Sequence, residues 1–126
     1  MRYGPLRLAV AVTGALLLLI AVGAWVDPDK VGGRLGLTAE NMLGHATLRA
    51  DLGAFFSVGG GLALVAAWRR NARLLTAPLL MIAVALAGRI VTLEFSEFDP
   101  TMLPPMLAEA VMVAVFAAGR LVGKPA

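Results

Sequence analysis

Nineteen consecutive residues, Leu8 to Val26, carry no charge. At 1.5 Å per residue, a helix of about 20 apolar residues crosses a hydrocarbon layer of ~30 Å. Three further apolar runs follow: Leu52 to Trp68, Leu74 to about Leu93 with Arg89 inside it, and Met102 to Gly119 with Glu109 inside it. The chain is 60% hydrophobic and 15% charged, against about 45–50% and about 25% in soluble domains. Disorder needs low hydrophobicity and is excluded, and the unbroken runs argue against a water-soluble globule. The 126 residues allow one core. The expected fold is therefore all-α: a single four-transmembrane-helix bundle over residues 1–126, with helices at about 6–26, 48–68, 74–93 and 103–121.

The first run also has the look of a signal peptide, since Arg2 and Arg7 precede it and Val22-Gly23-Ala24 is a passable cleavage site. A signal core is about 7–15 residues, and the longer run favours a retained anchor. Basic residues then set the topology. Arg2 and Arg7, Arg69, Arg70 and Arg73, and Arg120 and Lys124 flank one set of helix ends, with no acid among them. The opposite loops hold Asp27, Asp29 and Glu40 with Lys30 and Arg34, then Glu94, Glu97 and Asp99. The positive-inside rule places both termini in the cytoplasm, as expected of a multi-pass protein of a bacterial inner membrane. The net charge of +3 is on this reading an orientation signal, with anionic headgroups as a secondary contact, and gives no indication of nucleic acid.

Helix limits follow from local chemistry. Asp27-Pro28-Asp29 ends the first helix, because the residue before proline avoids the α region. Gly32, Gly33 and Gly36 predict a pliable connector, and Thr38 is the expected cap of a helix that starts outside the membrane. Pro104 and Pro105 suit the first turn of the fourth helix, where a missing N–H costs little.

The ionisable residues inside the runs fall on one side. Arg49, Asp51, Arg89, Glu94 and Glu109 are all expected in the outer half of the bilayer, with Glu109 the deepest at roughly 8 Å. A charge at mid-membrane costs about 2.5–3.5 kcal/mol on insertion scales, so such groups face the bundle and pair. Arg49 and Asp51 lie about 200° apart on their helix. The expected pairs are Arg89 with Asp51 or Glu109, and Arg49 with Glu94 or the headgroups. One reading is that these pairs fix helix register only. The other is a polar pocket in which two guanidiniums hold a carboxylate or phosphate head above an apolar tail. His45, one turn before Arg49, either borders that mouth or is an interfacial polar residue.

Small residues form two stripes at fourfold spacing: Gly53, Ser57 and Gly61, widened by Gly59 and Gly60, and Ala110, Ala114 and Ala118. Such stripes let helices approach closely in lipid, either within the bundle or against a partner. Trp25 and Trp68 are expected as anchors at opposite interfaces. One histidine and no cysteine exclude a Cys/His zinc site and a bis-histidine haem within one chain. No catalytic residues, metal ligands or cofactors are expected.

The stretch Leu48-Arg49-Ala50-Asp51-Leu52-Gly53-Ala54-Phe55-Phe56, with Gly59-Gly60-Gly61 after it, resembles the central motif of a family of short bacterial four-span inner-membrane proteins classed as a domain of unknown function. Asp27-Pro28, Leu35-Gly36-Leu37, Ala87-Gly88-Arg89 and Glu109 extend the resemblance over nearly the whole chain. It implies a four-helix inner-membrane protein with Arg49, Asp51, Arg89 and Glu109 as its polar set, and it carries no activity. A looser, fold-level likeness to sterol-isomerase-like and quinone-linked four-span proteins transfers no function.

Three functions are in play. The first is a non-enzymatic accessory or interaction subunit of a membrane complex, whose partners are the bilayer and other membrane-protein subunits or a second copy. The second is binding or movement of a lipophilic, anionic molecule, such as a bound lipid, in the outer-half pocket. The third is an enzyme performing proton chemistry on a lipid, with Glu109 or Asp51 as acid or base.

Overall fold

A computed structural model describes residues 4–95 and 97–122. Among these, five α-helices and two 3-10 turns account for the fold, and there is no strand. The helices are α1 (Gly4–Val26), α2 (Pro28–Arg34), α3 (Met42–Arg69), α4 (Thr76–Phe95) and α5 (Leu103–Val122). The 3-10 turns, Ala72–Leu75 and Pro100–Met102, lead into α4 and α5. Four helical spans, ending with α1, α3, α4 and α5, are long and apolar enough to cross a membrane. The chain is thus a four-transmembrane-helix bundle.

The first outer loop differs from the expected connector. Pro28 occupies the first turn of α2, where its fixed φ suits a helix, and Asp27 caps it by accepting the Lys30 N–H at 3.2 Å. Packing holds α2 in place: Gly32 lies under Leu48 of α3, and Val31 lies over Gly23 of α1. Gly36 carries the positive φ, +79°, that turns the chain out of α2. The cap of α3 is also not Thr38. Asn41 accepts the Gly44 N–H at 2.9 Å, so α3 begins at Met42, six residues before the apolar run suggested. The helix extends into the polar zone because its N-terminus is capped, and apolarity marks only the part in lipid.

At the other end of the bundle Arg70 closes α3 in the left-handed conformation, φ 53°, with its N–H on the Ala66 carbonyl. Asp99 caps the turn before α5. The Thr101 backbone N–H, and after it the Thr101 hydroxyl, hold its carboxyl below the ordinary value of 3.8. A depressed carboxyl supports its cap fully above the ordinary value and loses that support as pH falls through the lowered one.

Helix α1 packs chiefly on α3, and α4 on α5; lesser contacts join α1 to α5 and α3 to α4. The apolar core, with Val10, Leu17, Ala63, Ala66, Leu75, Ile82 and Phe116, fills the half of the bundle nearest the α3–α4 turn. That is the half without ionisable side chains in the apolar runs. The α1–α3 seam is closest where Gly14 meets Gly60.

Two arginines lock this seam from opposite ends. Arg7 of α1 donates to the Ala67 and Trp68 carbonyls at the end of α3, at 2.5 and 3.3 Å. Arg49 of α3 donates to the Trp25 carbonyl at the end of α1, at 2.9 Å. A cation at a helix C-terminus meets both orphan carbonyls and the negative end of the dipole. Arg7→Ala is expected to cost about 1–2 kcal/mol, read as reduced thermal stability in detergent.

Candidate functional site: a closed ion pair and a lateral groove

The residues expected to share one pocket are distributed by the fold among separate partners. Arg89, on α4, donates its Nε–H to Glu109 Oε1 on α5 at 2.5 Å. Both lie six residues from the helix ends that meet at the α4–α5 connection, about 9 Å in, which sets them level across the antiparallel pair. Glu109 is buried, 7% exposed, whereas the Arg89 side chain is 31% exposed. Of the two pairings open to Arg89, the structure selects Glu109 rather than Asp51.

Arg49 does not join that pair and makes no ion pair with Glu94; its Nε–H donates to the Trp25 carbonyl. Asp51 and Glu94 are exposed and make no ion pair among the described residues. His45 Nδ1 meets Asp29 Oδ1 at 2.9 Å, tying the start of α3 to α2: an ion pair when His45 is protonated, a hydrogen bond when it is neutral. A single pocket between Arg49, Arg89 and Glu109 is therefore not what the side chains build.

Chemically, Arg89 and Glu109 neutralise each other. No buried side-chain nitrogen or oxygen among the described residues lacks a partner. No group of three or more His, Cys, Asp or Glu side chains among them converges on a metal position. What the pair does is fix α4 and α5 in register and azimuth, because a buried charge must stay on its partner.

The two stripes of small residues also divide. Gly53 is buried under the Trp25 indole, which a Cβ there would overlap, so Trp25 is seated by Gly53 and by Arg49 at once. Gly60 faces Gly14, and Gly59 lies near Leu17 and Met81. Ser57 turns its hydroxyl back to the Ala54 carbonyl at 3.4 Å, and nothing lies within 4 Å of a Cβ at Gly61. The packed register is Gly53, Gly60, Ala63 and Ala67, all buried, rather than strict fourfold steps. On α5, Glu109, Phe116 and Gly119 are the buried residues; Ala110 and Ala114 are exposed and Ala118 is half-buried. Trp25 and Trp68, 63% and 79% exposed, stand at opposite ends of the bundle.

Hydropathy and spacing do not foretell one further feature. Because α2 folds back over the end of α1, a groove of about 550 Å³ opens between them, walled by Phe56 of α3. Leu16, Leu19 and Ile20 line its apolar part; Asp27, Lys30 and Arg34 stand at its mouth. The only signals for it in the chain are Pro28 at a helix start and the i,i+4 spacing of Lys30 and Arg34.

Comparison of the chain with protein-family models, with curated proteins and with solved structures found no match.

Proposed function

We propose that this is a small non-enzymatic protein of a bacterial inner membrane, with both termini cytoplasmic, that works as an interaction subunit through the outer face of α5. The observation that carries this reading is the position of Ala110 and Ala114, exposed between the exposed Leu107 and Leu121. They are small residues one helical turn apart on the exposed side of α5, away from its buried residues Glu109, Phe116 and Gly119. Lipid gains nothing from small residues at this spacing, whereas a second helix gains close backbone approach. Only 17% of the most apolar eighteen residues is buried in the bundle in the α4 and α5 spans alike, against 33% in α3, so both have surface to spare, and of the two only α5 carries the expected alanine stripe. The intramembrane pair Arg89–Glu109 then serves a structural purpose, holding α5 with this face outward.

The chain has no cysteine, so single cysteines report cleanly. In native membranes, Ala110→Cys and Ala114→Cys are expected to form cross-linked species larger than one chain under oxidation, to a second copy or to a neighbouring subunit that carries a thiol or is trapped by a thiol–amine linker. Val113→Cys and Phe116→Cys, on the inward side, are expected to stay monomeric. Equal cross-linking at all four positions, or at none, would refute the assignment of this face.

A further inference from the structure

We propose that the groove beside α2 binds one anionic phospholipid, with its phosphate between Lys30 and Arg34 and an acyl chain along Leu16, Leu19, Ile20 and Phe56. The turn at Asp27-Pro28 lays α2 back along α1, and Val31 seats on Gly23. Lys30 and Arg34, one helical turn apart, then line the same mouth. Neither makes an ion pair among the described residues.

The neighbouring acids are already engaged. Asp27 accepts the Lys30 backbone N–H as the cap of α2, and Asp29 is held by His45. Two cations against the one acid at the mouth leave it with a net charge of one plus. Arginine and lysine in this arrangement suit a phosphate, the arginine bidentately and the lysine as a point charge. Beneath them, Leu16, Leu19 and Ile20 are 55%, 67% and 38% exposed, so the apolar wall opens sideways to the bilayer, the direction from which a lipid tail arrives. A zwitterionic headgroup would bring its own cation to this mouth; an anionic one does not. Each basic residue near a membrane surface contributes about 1 kcal/mol of attraction to anionic lipid, which for two is roughly a thirtyfold preference.

The test is native mass spectrometry of the detergent-purified full chain, titrated with phosphatidylglycerol or phosphatidylcholine of identical acyl chains. The expected result is one phosphatidylglycerol retained per chain, at least about tenfold more tightly than phosphatidylcholine. Lys30→Gln/Arg34→Gln brings phosphatidylglycerol down to the phosphatidylcholine level, and Leu19→Trp, which fills the groove, weakens both. Both basic side chains are exposed, so circular dichroism of the double variant stays unchanged. Arg69→Gln/Arg73→Gln, the same charge change at the opposite end, keeps the lipid. Ala114→Phe keeps it too, which separates this site from the α5 face. Equal retention of the two lipids, retention unaltered by Lys30→Gln/Arg34→Gln, or an equal loss in Arg69→Gln/Arg73→Gln would overturn the proposal.

Discussion

Arg89→Ala is expected to destabilise the bundle by about 3–5 kcal/mol, the cost of leaving a buried charge without its partner. Glu109 is 7% exposed and no other described cation reaches it, so nothing compensates the loss. Glu109→Ala is expected to cost less, because the Arg89 side chain is 31% exposed and its long stem can carry the guanidinium toward the headgroups. The double variant Arg89→Ala/Glu109→Ala is expected to recover most of the deficit, since it leaves no orphaned charge. Reversible unfolding in mixed micelles on all four proteins closes the double-mutant cycle. Additive effects would mean that the two residues stabilise the helices independently, against the structural role assigned to the pair.

The second large effect is expected at the α1–α3 seam. A Cβ on Gly60 would lie 2.6 Å from the Gly14 carbonyl oxygen and 2.9 Å from the Leu18 nitrogen. Both obstacles are backbone, so the helices themselves must separate. Gly60→Ala is therefore expected to cost about 3 kcal/mol, at the upper end for overpacking, and to loosen the cross-helix bonds of Arg7 and Arg49 with it. Gly61→Ala is the internal control. It lies one residue on, with nothing within 4 Å of its Cβ, and there the better helix propensity of alanine is expected to give a neutral to stabilising change of up to about 1 kcal/mol. Thermal unfolding in a single detergent compares the two, and equal costs would contradict the close approach at Gly60.

The spans are legible in the sequence because the bilayer leaves so few choices: backbone polar groups must be satisfied within each crossing. Helix ends in water are legible only in part: Asp27-Pro28 ends α1 at Val26 and Pro104 and Pro105 fall in the first turn of α5 as expected, whereas α2 is not foretold. Helix α2 has two glycines in seven residues, each about 1 kcal/mol worse than alanine, and only the contacts of Val31 and Gly32 with α1 and α3 make it favourable. The start of α3 outside the lipid is expected from the cap candidate Thr38, but the cap itself falls three residues later, at Asn41, because hydropathy ends where lipid ends and cannot choose between neighbouring polar residues. Among the charges, spacing leaves Arg89 with two candidate partners and cannot choose between them, and it sets Glu109 deeper than Arg89 where the two lie level. Arg49 also finds a partner that no side-chain spacing suggests, for a simple reason. Its acceptor is a main-chain carbonyl, which every residue has, so no side-chain pattern announces it. The glycine stripe is half legible: Gly53 packs as expected, but the seam follows the register through Gly60 and leaves Gly61 open.

On the function proposed above, the intramembrane charges shape the bundle and the exposed face of α5 is where another protein would be met. The most direct test is the mass of the particle released from native membranes in a lipid-retaining copolymer, measured for the wild type and for Ala114→Phe. A single chain weighs 13.1 kDa. The expected wild-type particle contains a second protein component, a copy of this chain or another subunit, and returns to the single chain in Ala114→Phe with its fold intact. A wild-type particle containing one 13.1 kDa chain and lipid alone, unchanged by Ala114→Phe, would contradict the assignment of α5 as an interaction face.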